Sequence, residues 1–347
     1  MPNAENDSAP AFDLDVGVGE PLLEVVDLHV EFRTREGVAR AVNGVSYSVK
    51  PGETLAVLGE SGSGKSVTAQ AIMGILDTPP GYVTKGEVRF CGQDILALPE
   101  EDRRKLRGPS MAMIFQDALS SLNPVFSVGW QIGEMFRVHE GMSRKESKLK
   151  AIELLDRVRI PSAKDRVGDY PHQFSGGMRQ RVMIAMAIAL NPRLLIADEP
   201  TTALDVTVQA QVMDLLAELQ RESGMGMILI THDLGVVADV ADICAVMYAG
   251  RIVEHAEVHE LYAKPAHPYT KALLGSIPRL DLKGQEVAVI KGLPPTLTNL
   301  PTGCSFHPRC GYVRDRCKSE EPPLYSAGEH RDSACHYWEE VLGGTHK

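Results

Sequence analysis

A run of glycine, serine and lysine near residue 60 is the first stretch of this 347-residue sequence whose residue types could do chemistry. It reads GESGSGKS over residues 59–66 and fits the pattern G-x-x-x-x-G-K-[ST] of a phosphate-binding loop. In such a loop, backbone N–H groups face phosphate oxygens, the lysine meets the outer phosphates and the last hydroxyl ligates Mg²⁺. A flexible linker is the alternative interpretation, but a strand and a helix are predicted on either side. The predicted binding residues are Gly59, Ser61, Gly62, Ser63, Gly64, Lys65, Ser66 and Val67.

Two adjacent carboxylates follow an apolar run later in the chain. Residues 194–197 read LLIA, and Asp198 and Glu199 come directly after them. Ligand crevices of open α/β sheets lie at the exits of such strands. Phosphoryl transfer asks for charge neutralisation and a positioned water, so we predict that Asp198 holds Mg²⁺ and that Glu199 polarises water. Alone, the pair would more often be a solvated acidic turn, but its position after the loop favours catalysis.

Apolar patterns predict the elements that must position these groups. Residues 54–58 form a short apolar run before the glycine-rich loop, and residues 65–76 follow it with helical spacing, which predicts strand, loop and helix. The runs at 194–197 and 227–230 predict buried parallel strands joined by a helix over 206–222. The predicted fold class is therefore α/β with a parallel sheet.

Two further regions surround this predicted sheet. Residues 22–32 and 38–49 alternate apolar and polar positions around a turn, which predicts antiparallel strands. From residue 117 to 190 the pattern is helical, and Ser143 with Glu146 makes a capping box at the start of one helix. We therefore predict an antiparallel β subdomain and a helical subdomain at about 117–190.

A third glycine-containing motif lies at residues 174–181, which read FSGGMRQR. It resembles the signature of ATP-binding cassette proteins, although Met178 stands where that family most often has glutamine. The resemblance implies the P-loop NTPase cassette fold, with a mixed-sheet core, and hydrolysis of ATP. It also implies that Ser175, Gly176 and Gly177 contact the ATP held by an opposing subunit.

The remaining elements of that family occur in the same order along this chain. Gln116 follows MIF, Asp205 follows Ala203-Leu204, and His232 follows Ile230-Thr231. By resemblance, Gln116 contacts Mg²⁺ or water, Asp205 joins the two subunits and His232 steadies the γ-phosphate. Phe32 is the candidate for stacking on adenine, and a core-facing strand residue is the equally weighted alternative.

Three stretches that ATP chemistry does not explain resemble the ATPase subunits of oligopeptide and dipeptide importers over about residues 22–338. The resemblance implies a homologous second ATPase subunit, two permease subunits and an external binding protein that delivers peptides. It also implies that the segment 119–130, with Phe126 and Trp130, receives a permease helix, for which core packing is the alternative. Import of nickel or another small solute remains an alternative function, and a non-transport cassette protein is disfavoured. The stretches are YPHQ at 170–173, AMIFQD at 112–117 with SLNP at 121–124, and HPYT at 267–270.

Four of the six cysteines cluster near the C-terminus with the spacing C-x5-C-x6-C-x17-C. Structural zinc sites usually have tighter knuckles, whereas thiolates at wider spacing can surround an iron–sulfur cluster. The tail resembles the peptide-importer extension, which implies a [4Fe–4S] cluster, although Gly311 stands where relatives often have proline. Zinc, free thiols and ligation by His307 or His336 remain alternatives, and Cys91 and Cys244 are interpreted as core residues. The predicted cluster ligands are Cys304, Cys310, Cys317 and Cys335.

Charge and hydropathy define the remaining expectations. The net charge of −10 argues against non-specific binding of nucleic acid over a broad surface. Residues 1–20 contain five acidic and no basic residues, which predicts a disordered tail. The cassette is expected over 21–279 and the extension over 280–347. No apolar stretch reaches the roughly 18 residues needed to cross a bilayer, so we expect the chain at the cytoplasmic face of the membrane, bound through permeases.

Overall fold

The structure is a computed structural model that describes residues 16–17, 19–202, 204–276 and 290–343, with the backbone alone at 118 and 119. Its strands are β1 (Leu23–Thr34), β2 (Gly37–Val49), β3 (Thr54–Leu58), β4 (Gly81–Phe90), β5 (Gln93–Asp94), β6 (Met111–Ile114), β7 (Leu194–Asp198), β8 (Gly226–Thr231), β9 (Ile243–Tyr248), β10 (Arg251–Glu257), β11 (Tyr325–Gly328) and β12 (Arg331–Ser333).

The α-helices connect and cover these strands. They are α1 (Lys65–Met73), α2 (Glu100–Leu106), α3 (Ala118–Ser121), α4 (Val128–His139), α5 (Arg144–Arg157), α6 (Ala163–Arg166), α7 (Gly176–Ala187), α8 (Val206–Ser223), α9 (Leu234–Val240), α10 (Val258–Ala263), α11 (Pro268–Gly275), α12 (Asp315–Ser319) and α13 (Trp338–Gly343). Short 3-10 turns lie at Pro171–Gln173 and His307–Arg309. Within the described ranges, no helix combines the length and the apolar character needed to span a bilayer.

The central sheet carries the site. Its order is β11-β12-β10-β9-β3-β8-β7-β6, and the strands from β9 to β6 run parallel. Every residue of β3, β7 and β8 is buried, as expected for strands covered on both faces. Helix α8 connects β7 to the adjacent parallel strand β8, which confirms the predicted crossover. The parallel arrangement brings the carboxyl ends of β3, β7 and β8 to one edge.

A second, antiparallel sheet has the order β2-β1-β4-β5. Thr34 pairs with Gly37 across the predicted turn, so the antiparallel prediction for this region is confirmed. Helix α1 is shorter than predicted, because it ends at Met73 rather than at residue 76. Gly74 adopts φ +63° and its N–H donates to the carbonyls of Ala71 and Gln70, which closes the helix with a left-handed cap.

Helices α3 to α7 form a compact group between strands β6 and β7. Their shared core includes Ile132, Phe136 and Leu155, each less than 5 % exposed. Helix α5 begins with the predicted capping box: the Ser143 hydroxyl accepts from the Glu146 N–H, and the Glu146 carboxylate accepts from the Ser143 N–H at 3.0 Å. Helix α7 packs within this group, and its first residues belong to the serine–glycine motif.

The C-terminal segment extends the central sheet. Strand β12 pairs antiparallel with β10, with Glu254 opposite Ser333, and β11 pairs with β12. The Glu254 carboxylate is fully buried and accepts the N–H groups of Ala266 and His267 at 2.6 and 2.9 Å. These bonds hold the turn before α11 against the sheet. The predicted boundary near residue 280 and most of the predicted acidic tail at 1–20 lie outside the described residues.

Candidate ATP-binding and hydrolysis site

The glycine-rich loop of residues 59–66 joins β3 to α1 and is tightly enclosed. Gly59 adopts φ +149° and Gly64 φ +105°, a region that favours glycine. A Cβ atom on Gly59 would lie 2.3 Å from the carbonyl oxygen of Met247, and one on Gly64 would lie 2.3 Å from that of Ala41. The loop can therefore pass between β9 and β2 only because these positions lack a side chain.

Lys65 begins α1 and is almost completely buried. Its Nζ donates to the carbonyl oxygens of Gly59 at 2.8 Å and Glu60 at 3.1 Å. Burial lowers the pKa of the ammonium, and the nearby carboxylates of Glu199 and Asp198 oppose that shift. The first N–H groups of α1 also lack partners within the helix. Together, these groups form the positive end of a site that phosphate oxygens would complete.

Ser66 and Asp198 meet where β7 ends beside α1. The Ser66 hydroxyl donates to the Asp198 carboxylate at 3.0 Å, and Asp198 is only 4 % exposed. Burial raises the pKa of Asp198, while the Ser66 hydrogen bond and the Lys65 charge lower it. A hydroxyl and a carboxylate beside a phosphate loop are the oxygen ligands that Mg²⁺ takes from proteins. The structure thus brings together two of the three residues predicted to contact the metal, and the third, Gln116, bonds Glu199 instead.

Glu199 lies at the centre of a polar cluster. Its Oε2 accepts hydrogen bonds from Gln116 Nε2 and Thr202 Oγ1, both at 2.9 Å, and His232 Nδ1 lies 3.5 Å away. The backbone of Glu199 adopts φ +46°, and its N–H donates to the carbonyl of Ile230 at 2.8 Å. Left-handed backbone at a non-glycine residue costs free energy and is concentrated at functional sites.

These contacts place Gln116, Glu199 and His232 together, as the sequence predicted. Thr202 was missed, because a threonine three residues after an acidic pair has no distinctive pattern. The whole arrangement separates two roles. Asp198 faces the metal side beside Ser66, whereas Glu199 faces Gln116 and His232, where a water could be oriented. This division suits metal-assisted hydrolysis of a phosphoanhydride.

The serine–glycine motif begins α7. Ser175 is the N-cap residue, and its hydroxyl accepts the Met178 N–H at 3.4 Å. A Cβ on Gly177 would lie 2.5 Å from Val208 Cγ1, so glycine lets α7 pack against α8. Among the described residues, no hydrogen bond or ion pair joins the motif to the loop at 59–66.

Comparisons with known proteins decide the family. A family model described as "ABC transporter" matches residues 42–202, and one described as "Oligopeptide/dipeptide transporter, C-terminal region" matches residues 253–317. The oligopeptide transport ATP-binding protein OppD of Bacillus subtilis is 52 % identical over 309 residues, covering 89 % of this chain and 86 % of that protein. The chain belongs to the ABC transporter ATP-binding family.

Two further relatives match this chain over nearly its whole length. The dipeptide transport ATP-binding protein DppD of Escherichia coli is 50 % identical, over 91 % of this chain and 96 % of that protein. A putative peptide import ATP-binding protein of Brucella ovis is 51 % identical, over 93 % and 98 %. This membership, with an intact phosphate loop and acidic pair, identifies the ABC subunit as an ATPase that uses ATP and Mg²⁺.

Solved structures agree on the fold of this ABC ATPase. A dimeric ATP-binding cassette in a post-hydrolysis state with ADP and phosphate superposes with a TM-score of 0.62 at 26 % identity, covering 68 % of this chain and 98 % of that one. The cbiO1 subunit of Clostridium perfringens gives a TM-score of 0.60 at 30 % identity, covering 70 % and 91 %. The predicted cassette fold is confirmed.

Three other residues predicted for the ATP site of the ABC subunit take no part in the contacts described above: Phe32, Val67 and Asp205. Phe32 on β1 and Val67 on α1 are partly buried and pack against the core beside α1. Asp205 is exposed at the N-cap of α8, and its side chain makes no capping hydrogen bond. Ala203 lies outside the described residues. The stacking of Phe32 on adenine and the role of Asp205 between subunits stay predictions.

The four C-terminal cysteines line one small cavity, together with His307 and His336. Burial raises the pKa of Cys310 and of Cys335 to about 12. Nevertheless, in the described part of the chain no three Cys, His, Asp or Glu side chains are arranged as ligands of a metal ion. The structure therefore gathers the four predicted ligands around one cavity, and burial favours the protonated thiols of Cys310 and Cys335.

Proposed function

We propose that this ATPase powers the import of dipeptides or oligopeptides through two permease subunits, at the cytoplasmic face of the cell membrane. One observation carries the proposal: relatives about half identical along most of their length are oligopeptide and dipeptide transport ATP-binding proteins. The match of residues 253–317 to an oligopeptide/dipeptide transporter C-terminal region supports the same cargo.

Hydrolysis in this proposal needs a second, homologous ATPase subunit. In this proposal the phosphate loop and the Ser175–Gly177 motif of one chain serve different sites, and among the described residues no hydrogen bond or ion pair joins them. A partner's motif would complete the site at Lys65, and this chain's motif would complete the partner's. The exposed Asp205 supports the same arrangement, since its side chain is available to the partner. We favour a heterodimer on the resemblance to peptide importers.

The permease contact is proposed at the segment 119–130. Phe126 and Trp130 stack with ring centroids 4.2 Å apart, and each remains 39 % exposed. Val125 beside them is 69 % exposed. Exposed apolar side chains at the start of a helix suit the docking of an amphipathic cytoplasmic helix. In this proposal, closure of the two ATPases moves the permeases, and an external binding protein supplies the peptide.

The transport proposal can be tested on the assembled transporter in lipid vesicles. We expect its ATPase rate to rise at least about threefold when the binding protein carries a dipeptide or a longer peptide, because cargo delivery favours the closed ATPase dimer. The measurement is phosphate release at saturating ATP. The empty binding protein and a complex with Glu199→Gln are the controls. Stimulation by nickel-loaded protein alone would contradict peptide import.

A second proposal is that Cys304, Cys310, Cys317 and Cys335 hold a [4Fe–4S] cluster. Their position around one cavity supports it. Ligation by His336 is disfavoured, because its Nδ1 is already hydrogen-bonded to the Tyr325 hydroxyl and its Nε2 to the carbonyl of Glu320, at 3.0 and 3.1 Å. When bound, the cluster would cross-link the C-terminal segment. The chain's own part is to release the thiol protons, so loading should weaken as pH falls.

Metal analysis of anaerobically purified protein tests the cluster. We expect a brown protein with about four iron ions per chain. Cys317→Ser should remove most of the iron, since Cys317 is one of the four cavity thiols, whereas Cys91→Ser should leave the iron content unchanged. Zinc in place of iron, or iron that survives Cys317→Ser, would count against this assignment.

A further inference from the structure

Two C-terminal features that ATP chemistry does not use reach the same residue of the phosphate loop. One is the HPYT stretch at residues 267–270, and the other is the 3-10 turn His307–Arg309 in the cysteine-rich segment. Both contact Glu60, the second residue of the loop. Glu60 occupies a position that the motif leaves open to any residue type.

Arg309 binds the Glu60 side chain with two hydrogen bonds. Its Nη1 donates to Oε2 at 2.6 Å and its Nη2 donates to Oε1 at 2.9 Å. This fork geometry is the strong, orientation-specific mode of arginine–carboxylate pairing. The Arg309 side chain is only 4 % exposed, and among the ion pairs between described residues none has a more buried arginine. The hydrogen bond to Glu60 raises the pKa of Arg309.

The guanidinium is itself held by the central sheet and the C-terminal segment. Arg309 Nη1 also donates to the Tyr248 hydroxyl at 3.3 Å, and Nε donates to the carbonyl of Lys291 at 3.2 Å. Phe306, three residues earlier, is buried against Tyr248 and Tyr269, with ring centroids 5.2 and 5.4 Å away. Arg309 is thus placed by a packed aromatic cluster at the end of β9.

Tyr269 holds the backbone of the same loop residue. Its hydroxyl accepts the Glu60 N–H at 2.9 Å, and its ring is fully buried. The carbonyl of Glu60 accepts from Lys65 Nζ at 3.1 Å and from the Ser63 N–H at 3.2 Å. The side chain, the N–H and the carbonyl of Glu60 therefore all form hydrogen bonds. The carbonyl accepts one of them from Lys65, the lysine assigned to the phosphates.

We propose that Arg309 and Tyr269 are positioning residues for ATP binding, which hold Glu60 and thereby keep the phosphate-binding loop in the shape that accepts nucleotide. Neither residue touches the reacting atoms. Their effect passes through Glu60 to Lys65 and the loop N–H groups. The C-terminal segment thus becomes part of the ATP site of its own chain.

The test is ATP affinity and steady-state kinetics of the assembled transporter with single and double substitutions. Arg309→Gln should weaken binding of a fluorescent ATP analogue and raise KM for ATP by about tenfold, with kcat within about twofold at saturation, because a charge-assisted pair is lost. Glu60→Gln should do the same, and the double variant should be no worse than either single one. Arg309→Lys should recover part of the loss, and Tyr269→Phe should cost about threefold.

Arg316→Gln is the matched control, because this arginine pairs with Glu320 on the surface of the same segment. It should leave KM and kcat unchanged. Normal KM in both Arg309→Gln and Glu60→Gln would overturn the proposal, as would additive effects in the double variant. If the Arg309–Glu60 pair only stabilised the fold, Arg309→Gln would reduce assembly or thermal stability and leave the ATP affinity of the assembled complex intact. That result would also overturn the proposal.

Discussion

Glu199→Gln should lower the ATPase rate of the assembled transporter by at least about 100-fold, while ATP still binds. The glutamine keeps the size of the side chain and an oxygen that can accept hydrogen bonds from Gln116 and Thr202. In the unaltered protein, Gln116 Nε2 and Thr202 Oγ1 each lie 2.9 Å from Glu199 Oε2. It removes the carboxylate that polarises the attacking water. Because the Glu199 charge acts on Lys65, its removal leaves the loop more positive and should retain or tighten ATP binding.

Single-turnover hydrolysis of labelled ATP, together with equilibrium binding of an ATP analogue, separates these two effects. Thr202→Val is the matched control, since it deletes one hydrogen bond to Glu199 and keeps the carboxylate. Its rate should fall by no more than about tenfold. Turnover of the glutamine variant close to that of the unaltered transporter would rule out Glu199 as the base.

The contacts among the ATP-site motifs were predicted well, and the contacts of the C-terminal segment were not. The loop at 59–66 and the pair Asp198 and Glu199 are contiguous motifs at strand exits, so their residue types and spacing reveal both element and chemistry. The parallel strands that bring them together are mostly apolar runs. The end of α1 at Gly74 could not be predicted, because a glycine in a helical pattern can continue or end the helix, and the left-handed backbone of Gly74 ends it.

The contacts of the C-terminal segment could not be predicted. Arg309 and Glu60 are 249 positions apart, and an arginine between two cysteines gives no sign of its partner. Strand β12 has three residues, too few to show alternation, yet it extends the central sheet beside β10. Cysteine spacing predicted a cluster site, and the four cysteines line one cavity, although within the described residues they are not arranged as ligands of a metal ion. The sequence could not define their detailed geometry, because it depends on packing by residues such as Phe306.

Lys65→Met should weaken ATP binding by roughly 100-fold, since it removes the ammonium that forms charge-assisted hydrogen bonds with phosphate oxygens. The protein itself should remain folded. Lys65 is 5 % exposed and burial lowers its pKa, so the free protein carries a buried charge whose hydrogen bonds go only to carbonyl groups. An apolar side chain of similar length in that place is expected to leave thermal stability unchanged or to raise it.

Equilibrium binding of an ATP analogue and thermal unfolding without nucleotide measure the two quantities on the same preparation. Lys85→Met is the matched control, because this exposed lysine pairs with Asp27 on the antiparallel sheet and should change neither quantity appreciably. Lys65 also lowers the pKa of Asp198, so the Lys65 variant should need a higher pH to hold Mg²⁺. Unchanged ATP affinity would contradict the assignment of Lys65. Lost affinity with lost stability would instead place this lysine in the scaffold of the loop, whereas lost affinity with retained stability identifies it as the phosphate ligand.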